Sequence, residues 1–447
     1  MPNTCQLFLL WKHILCYYFS MKTKHFFNYV ILFGILLVAE ILLLTATAAI
    51  PRDFIHENIK VSAEYLCEKE PFFHINHKDL ASRIDRHADA ILLNIAYSYD
   101  SKTPFSSAIK SAYYFDPLKN ENSNLLYAVT PNVAPNYVYM RYWHGSVVFV
   151  KPLLCVMSLP QIYVLNAAVL GLLFLIAAIV LYRFYGKGAC FGFVAAGIAC
   201  SLWYVPLSLE YMPVFVITFS AIPLTAYIQQ KHPDKIGYLF FLLGGITAYT
   251  DFLTTETLTC LIPLILLLLH HQGKQITFCL KSGLTWICCY GLTWFFKWVL
   301  YSVVYGAQGF RDALSQTAYR TAGQAASGGL FSQMSGAIIR NLRCLFPFSF
   351  LADPHGRMIT VILFPALLML FWLIRKPKNM PSFVGIFFLL GMLPYVRFVI
   401  LSNHAYIHYF FTYRAQFASV FCLFLIFWYG TDTEFLRKEW KKIRHHR

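Results

Sequence analysis

The chain has 447 residues, of which 58% are hydrophobic, 18% aromatic and 13% charged, and its mean hydropathy is +0.54. Soluble domains carry about a quarter charged residues. Disorder, a collagen-like repeat, a small disulfide scaffold and a soluble enzyme with one large core are therefore excluded, and the composition is that of a multi-pass membrane protein.

The net charge of +16 does not point to nucleic acid, because residues 51–150 hold ten Lys/Arg against eleven Asp/Glu. The positive excess lies in short clusters between apolar runs, where it sets topology. Residues 1–26 form a cytoplasmic or interfacial N-terminus. An apolar stretch over 1–20 precedes Met21-Lys-Thr-Lys24, which resembles a second start. No small-residue cleavage site follows a charged start, so this is not read as a signal peptide. The first spanning helix covers 27–50 and acts as an uncleaved anchor.

A spanning helix needs roughly 20 apolar residues. Nine further runs approach that length: 161–182, 188–208, 211–229, 236–250, 257–271, 276–304, 357–374, 381–400 and 409–429. The sequence therefore predicts an all-α polytopic membrane protein of about ten transmembrane helices. Its layout is an extracytoplasmic loop over 51–160, a bundle over 161–304, a second such loop over 305–356, a bundle over 357–429 and a basic tail over 430–447. Lys22, Lys24, Arg183, Lys187, Lys231, Lys235, Lys274, Arg375, Lys376, Lys378 and the tail lie on one set of flanks. That bias places both termini in the cytoplasm, in the plasma (inner) membrane. Within the first loop, Phe54–Lys69 and Leu80–Ser98 read as helical, and 146–160 as a re-entrant or interfacial helix. The Gly-, Ala-, Ser- and Gln-rich stretch Thr321–Gly336 suits a lid.

Nearly every unusual polar residue falls on the side of those loops. Asp53 and Glu57 follow the first span. Asp85 and Asp89 are four apart, on one helix face. Such a pair suits a divalent cation, or a general base with a tuning neighbour, or else a solvated helix paired with Arg83 and Arg86. Arg141, His144 and Lys151 form a cationic cluster beside the belt aromatics Tyr142 and Trp143, suited to a lipid-linked phosphate. Asp251 and Glu256 flank Thr254 and Thr255 at a membrane edge, where ionisable groups are costly. Lys297 either snorkels or pairs with phosphate. Arg397 ends one span, and His404, His408 and Arg414 open the last. Arg414, always charged and a turn into the membrane, needs a carboxylate or a phosphate there. Two His alone do not make a zinc site. Glu40 is read as a helix–helix partner. Cys67 and Cys344 lie in polar segments, but nothing requires them to pair.

Three segments carry a resemblance: Tyr142-Trp-His-Gly-Ser-Val-Val-Phe-Val-Lys-Pro-Leu-Leu154, Thr247-Ala-Tyr-Thr-Asp-Phe-Leu-Thr254 and Asn403-His-Ala-Tyr-Ile-His-Tyr-Phe-Phe-Thr-Tyr-Arg414. They are similar to segments of a family of bacterial integral membrane proteins, over about residues 27–430. The architecture resembles the polytopic type C glycosyltransferases. That resemblance implies a polyprenyl-phosphate sugar donor, a glycan or lipid acceptor and no nucleotide. A carboxylate, Asp53 or its rivals Asp85 and Asp89, would activate the acceptor. Arg141, Lys297, Arg397, His404, His408 or Arg414 would hold the phosphate, with His144, Asp251 and Glu256 as neighbouring polar groups. The chain lacks the adjacent acidic pair that many such enzymes carry after the first span, and the Trp-Trp-Asp signature of oligosaccharyltransferases. The competing readings are a transporter or flippase for lipid-linked glycans, and a polysaccharide polymerase. The transferase reading expects the carboxylates and Arg397 with Arg414 to share one external cavity.

Overall fold

A computed structural model describes residues 23–271, 273–322, 326, 328–351 and 383–430. The run 357–374, residues 1–22 and the basic tail lie outside the described residues. The chain is built almost wholly of helices. α1 (Thr23–Ala48) leads into a segment of short elements. These are α2 (His56–Cys67), the ribbon β1 (Phe72–His74) with β2 (Arg83–Asp85), α3 (Arg86–Ser98), α4 (Pro104–Lys110), β3 (Ala112–Tyr113), α5 (Glu121–Val129), β4 (Tyr137–Val138) and α6 (Val147–Leu154). Both ribbons are antiparallel, with Phe72 opposite Asp85 and Ala112 opposite Val138.

The membrane part then runs through α7 (Leu159–Val180), α8 (Lys187–Ala199), α9 (Met212–Lys231), α10 (Ile236–Thr250), α11 (Leu258–Leu268) and α12 (Gln275–Tyr305). α13 (Gln308–Ala322) and α14 (Gly329–Arg343) form the second long connection. The described chain closes with α15 (Phe383–Ile400), α16 (Ser402–Ile407), α17 (Tyr409–Thr412) and α18 (Phe417–Gly430).

Five helical segments are long and apolar enough to cross a membrane: Phe26–Ala48, Leu159–Tyr185, Met212–Lys231, Gln275–Tyr305 and Tyr409–Gly430. Lys187–Ala199, Leu258–Leu268 and Val384–Ile400 are apolar but shorter. The expected run 188–208 is interrupted. α8 stops at Ala199, Ser201 takes a left-handed φ of 49°, and a tight turn over Leu202–Leu207 carries Pro206. α11 has only 11 residues, all of them buried. An apolar run of that length is what a core helix requires as well as what lipid requires.

Local chemistry sets the segment between α1 and α7. Asp85 accepts the Ala88 N–H and so caps α3, while Asn120 accepts the Ser123 N–H and caps α5. Ser158 and Gln161 form a reciprocal capping box at the start of α7. The expected helices over 54–69 and 80–98 appear as α2 and α3, the second shortened because Arg83–Asp85 pairs as a strand. The buried faces of α2, α3 and α5 join Leu44 of α1, Ile162 of α7 and Tyr249 of α10 in one apolar cluster. The segment is thus fastened across one end of the helices. α13 and α14 pack on α16 at the same end.

Candidate active site

The three motif segments meet. Gly145 donates its N–H to the Tyr249 carbonyl at 2.9 Å, and a Cβ there would fall 2.5 Å from that oxygen. Only glycine permits so close an approach. His144, at φ 56°, and Tyr142 then place their rings 5.2 and 5.3 Å from Phe252. Leu253 is also left-handed, at φ 66°. Its carbonyl accepts from Arg397 Nη2 at 2.7 Å and from His404 Nε2 at 2.9 Å. Such a conformation in a branched residue persists only where its surroundings over-determine it.

Opposite this wall stands the N-terminus of α3. A cavity of about 220 Å³ separates the two, lined by Asp85, His87, Glu210, Tyr139, Tyr142, His144, Arg320, His404 and His408, with Phe72, Phe252 and Phe411 as apolar wall. Glu210 comes from the turn before α9, and Arg320 reaches in from α13.

Hydrogen bonding fixes several proton positions. Arg320 Nη1 donates to His404 Nδ1 at 2.8 Å, so that nitrogen accepts and Nε2 carries the proton given to Leu253. Burial, then the charges of His408, Arg320 and Arg397, hold the His404 pKa well below its usual range. His144 donates Nε2–H to the Tyr139 carbonyl at 2.9 Å. Its Nδ1, like that of His408, has no partner among the described residues. Burial pushes both imidazoles down to about 3, with Arg320, His87 and Arg83 adding to the effect on His408. All three are neutral acceptors at ordinary pH.

The two carboxyls differ. Burial raises Asp85 to about 6, against the Ala88 N–H and the positive charges of His87 and Arg83, which favour the anion. Glu210 is raised well above the usual carboxyl range, first by burial and then by Asp85, Asp89 and Asp251. Its Oε2 has no hydrogen-bond partner among the described residues. His87 is half-buried, which disfavours its charge, but a 2.9 Å contact to Glu121 and the Glu121 and Asp85 charges raise its pKa on balance. Arg320 has no carboxylate partner among the described residues. The cavity therefore offers a carboxyl that titrates at about 6, a second that burial biases toward its protonated form, a guanidinium with no carboxylate partner among the described residues, and aromatic faces.

The remaining candidates lie elsewhere. Asp53 is exposed in the turn Arg52–Phe54 and does not line the cavity. Asp89 is buried beneath it, accepting from Tyr163 Oη at 2.5 Å, Ser208 Oγ at 3.1 Å and the Leu209 N–H at 2.9 Å, which ties α3 to α7. Burial raises it to about 7. Asp251 accepts from the Thr254 N–H and hydroxyl within its own turn. Burial and Glu256 raise it to about 7. Glu256 holds Arg397 in a buried two-pronged pair, at 2.6 and 2.8 Å. Lys297 donates to the Ile109 carbonyl at 2.9 Å and fastens α12 to α4. Arg141 pairs with Asp312 at 2.9 Å.

Arg414, expected beside a carboxylate or phosphate, instead lies over the rings of Tyr211 at 4.6 Å and Tyr413 at 4.8 Å. It is buried outside the cavity lining, and its Nε and Nη2 have no partner among the described residues. Lys151 is likewise buried, 5.2 Å from the Tyr99 ring. Glu40, expected as a helix–helix partner, is buried with neither oxygen bonded among the described residues. Cys67 and Cys344 are both free. Among the described residues no three His, Cys, Asp or Glu are placed to share a metal ion.

Glu210 and Arg320 were not singled out in the sequence. Glu210 is a lone acid between two apolar runs, which was a usable signal, whereas Arg320 sits at the edge of the Gly-rich stretch read as a lid. Compared with known protein families, curated proteins and solved structures, the chain matches none.

Proposed function

We propose that this chain is a membrane glycosyltransferase that moves a sugar from a polyprenyl-phosphate donor to a cell-envelope glycan or lipid acceptor at the outer face of the plasma membrane. The observation that carries the reading is the shared cavity. Asp85 and Arg320, which has no carboxylate partner among the described residues, line the same cavity, about 220 Å³, below the usual range of about 300–1,000 Å³ for drug-sized ligands and suited to one sugar ring. Aromatic walls suit the apolar faces of such a ring.

The acceptor hydroxyl gives its proton to Asp85 as its oxygen forms the new bond to the anomeric carbon. The bond from that carbon to the phosphate oxygen breaks, and the electron pair leaves with the phosphate. Arg320 faces the charge that develops there, inside a site where such contacts are strong. The neutral imidazoles of His144 and His408 accept from sugar hydroxyls. Acceptor and donor are both brought by the bilayer, and no nucleotide takes part.

The test is reconstitution of the full chain in lipid nanodiscs with a panel of polyprenyl-phosphate sugars and envelope lipids, read by mass spectrometry. Transfer of one sugar is expected, and Asp85→Asn slows it by about 10²–10⁴ while leaving donor binding intact. A panel in which no donor is bound or consumed, or an Asp85→Asn variant as active as the parent, overturns the reading.

A further inference from the structure

α14 is built inside out. A helix that packs on protein and faces water buries its apolar stripe and exposes its polar one. α14 instead buries Gln333, Asn341 and Arg343, with Ala337 between them. Gln333 Nε2 donates to Ser402 Oγ at 3.1 Å, Asn341 Nδ2 to the Ala405 carbonyl at 3.0 Å and Arg340 Nη2 to Tyr406 Oη at 2.8 Å. These polar groups hold α16, the helix that carries His404 into the cavity. What α14 exposes bears no charge. Leu330 and Phe331 are 47% and 85% exposed, Ser332 lies beside them, and Ile339 is half-buried. The Ser335 hydroxyl is turned back onto the Phe331 carbonyl at 2.9 Å.

The same residues fix the depth of α14 along the bundle. Asn341 Oδ1 accepts from Thr412 Oγ1 at 2.8 Å, and the Asn341 carbonyl accepts from Gln416 Nε2 at 2.9 Å. Thr412 and Gln416 lie three and seven positions inside the apolar segment Tyr409–Gly430, which is long enough to span. At 1.5 Å per residue they are about 5 and 10 Å from its end. Ala337 and Ile338 also join one apolar cluster with Tyr395 and Phe398, from the last two turns of α15. α14 therefore lies beside the ends of membrane helices, not above them. Interfacial helices bury their apolar face about 5–10 Å into the boundary between headgroups and acyl chains. Polar groups at such a level must be satisfied by protein, and Gln333, Arg340 and Asn341 are.

We propose that α14 is an in-plane membrane helix whose exposed side, through Leu330, Phe331 and Ile339, is covered by the acyl chains of the leaflet at the cavity end. Two observations select this occupant. The polarity of α14 is reversed, as lipid requires and water does not, and its contacts set it level with the first turns of a spanning segment. A water-soluble partner does not reach that level without displacing lipid. The proposal is independent of the transfer reaction and holds for any activity of the cavity. Through α16 it ties the His404 wall of that cavity to the bilayer.

The test places p-benzoylphenylalanine at position 331 of the full chain, in nanodiscs of dioleoylphosphatidylcholine. On irradiation this group couples to a nearby C–H bond, whereas in water it relaxes unreacted. The intact mass is expected to rise by one lipid, with fragmentation placing the new bond on an acyl chain. Protein that stays unmodified, two chains joined to each other, or a link to another segment of the same chain, residues 352–382 included, overturns the assignment. A second variant needs no photochemistry. Phe331 is 85% exposed and touches little of the protein, so Phe331→Asp removes few contacts. It carries a charge into lipid and is expected to lower the thermal midpoint in nanodiscs, while Phe331→Leu leaves the midpoint in place. An Asp variant as stable as the Leu variant means that this side of α14 faces water, and the proposal fails.

Discussion

The polar cavity and the layer directly behind it are built from the same residue types, and they differ in what those residues already hold. In the layer behind, Asp89 accepts three hydrogen bonds, Glu256 and Arg397 are locked in a two-pronged pair, and Lys297 caps backbone carbonyls of α4. In the cavity, Glu210 Oε2 and the Nδ1 atoms of His144 and His408 have no hydrogen-bond partner among the described residues, and Arg320 has a neutral imidazole and the Tyr142 ring but no carboxylate among them. A buried polar group is costly unless it is satisfied. The first set therefore holds the helices together, and the second set lines the cavity that the proposed transfer would use. Asp85 and Asp89, one helical turn apart, fall on opposite sides of that division.

Exchanging the roles of that pair is the hardest test of the division. Asp85→Asn is expected to lower turnover by about 10²–10⁴, the range for a lost general base, with a thermal midpoint close to wild type. Asp89→Ala does the reverse. It leaves the Tyr163 hydroxyl, the Ser208 hydroxyl and the Leu209 N–H without their acceptor, each costing about 1–3 kcal/mol. A loss of thermal stability is expected, with residual turnover per folded molecule near normal. Thermal unfolding in nanodiscs, read beside transfer activity, checks both, and a catalytic defect in folded Asp89→Ala would erase the distinction.

Arg397→Ala strands Glu256 as an uncompensated buried carboxylate, which costs about 3–5 kcal/mol. It also removes one of the two donors to the strained Leu253 carbonyl. The double variant Arg397→Met with Glu256→Leu recovers much of that stability, because the desolvation of both charges disappears with them. An Arg397→Ala protein that is stable but fails to bind polyprenyl phosphate would move Arg397 into the site.

Much of this layout was legible in the sequence. The segments around Tyr142–Gly145, Thr247–Thr254 and Asn403–Arg414 were conspicuous because scarce polar residues gathered there, and all three reach the cavity. The short apolar runs leave the number of spans open: burial inside a bundle and burial in lipid select the same side chains, so composition does not say which of the two α11 meets. Which polar residues were already satisfied was not legible. Glu256 and Arg397 are 141 positions apart and meet only when α11 and α15 pack. Arg320 carried no local signal, because its role comes from α13 folding back over Tyr142 and His404. Arg414 shows the same limit from the other side. Its need for a partner was readable, and the neighbouring Tyr413 supplies one ring, but nothing local revealed that Tyr211 supplies the other.

The smallest expected effect is also the most specific to the cavity. Burial places Asp85 at about 6 in the folded chain, against about 3.9 for an ordinary aspartate. As a base it must be ionised, so turnover is expected to rise with pH through about 6, not near 4. The stability consequence has the opposite sign. The fold prefers the protonated carboxyl, so Asp85's contribution is complete below about 4 and is lost as pH climbs through about 6. His87 is one of the charges holding that value down, and Glu121 favours the protonated form of His87. His87→Gln removes the charge and is expected to move the acid limb of turnover to higher pH, by less than about one unit. Glu121→Gln moves it the same way by less, since it only eases His87 toward neutrality. The pH profile of single-turnover transfer in the three proteins measures this directly. An acid limb near 4 in wild type, or one that stays in place in both variants, would mean that the base is a group outside this cavity.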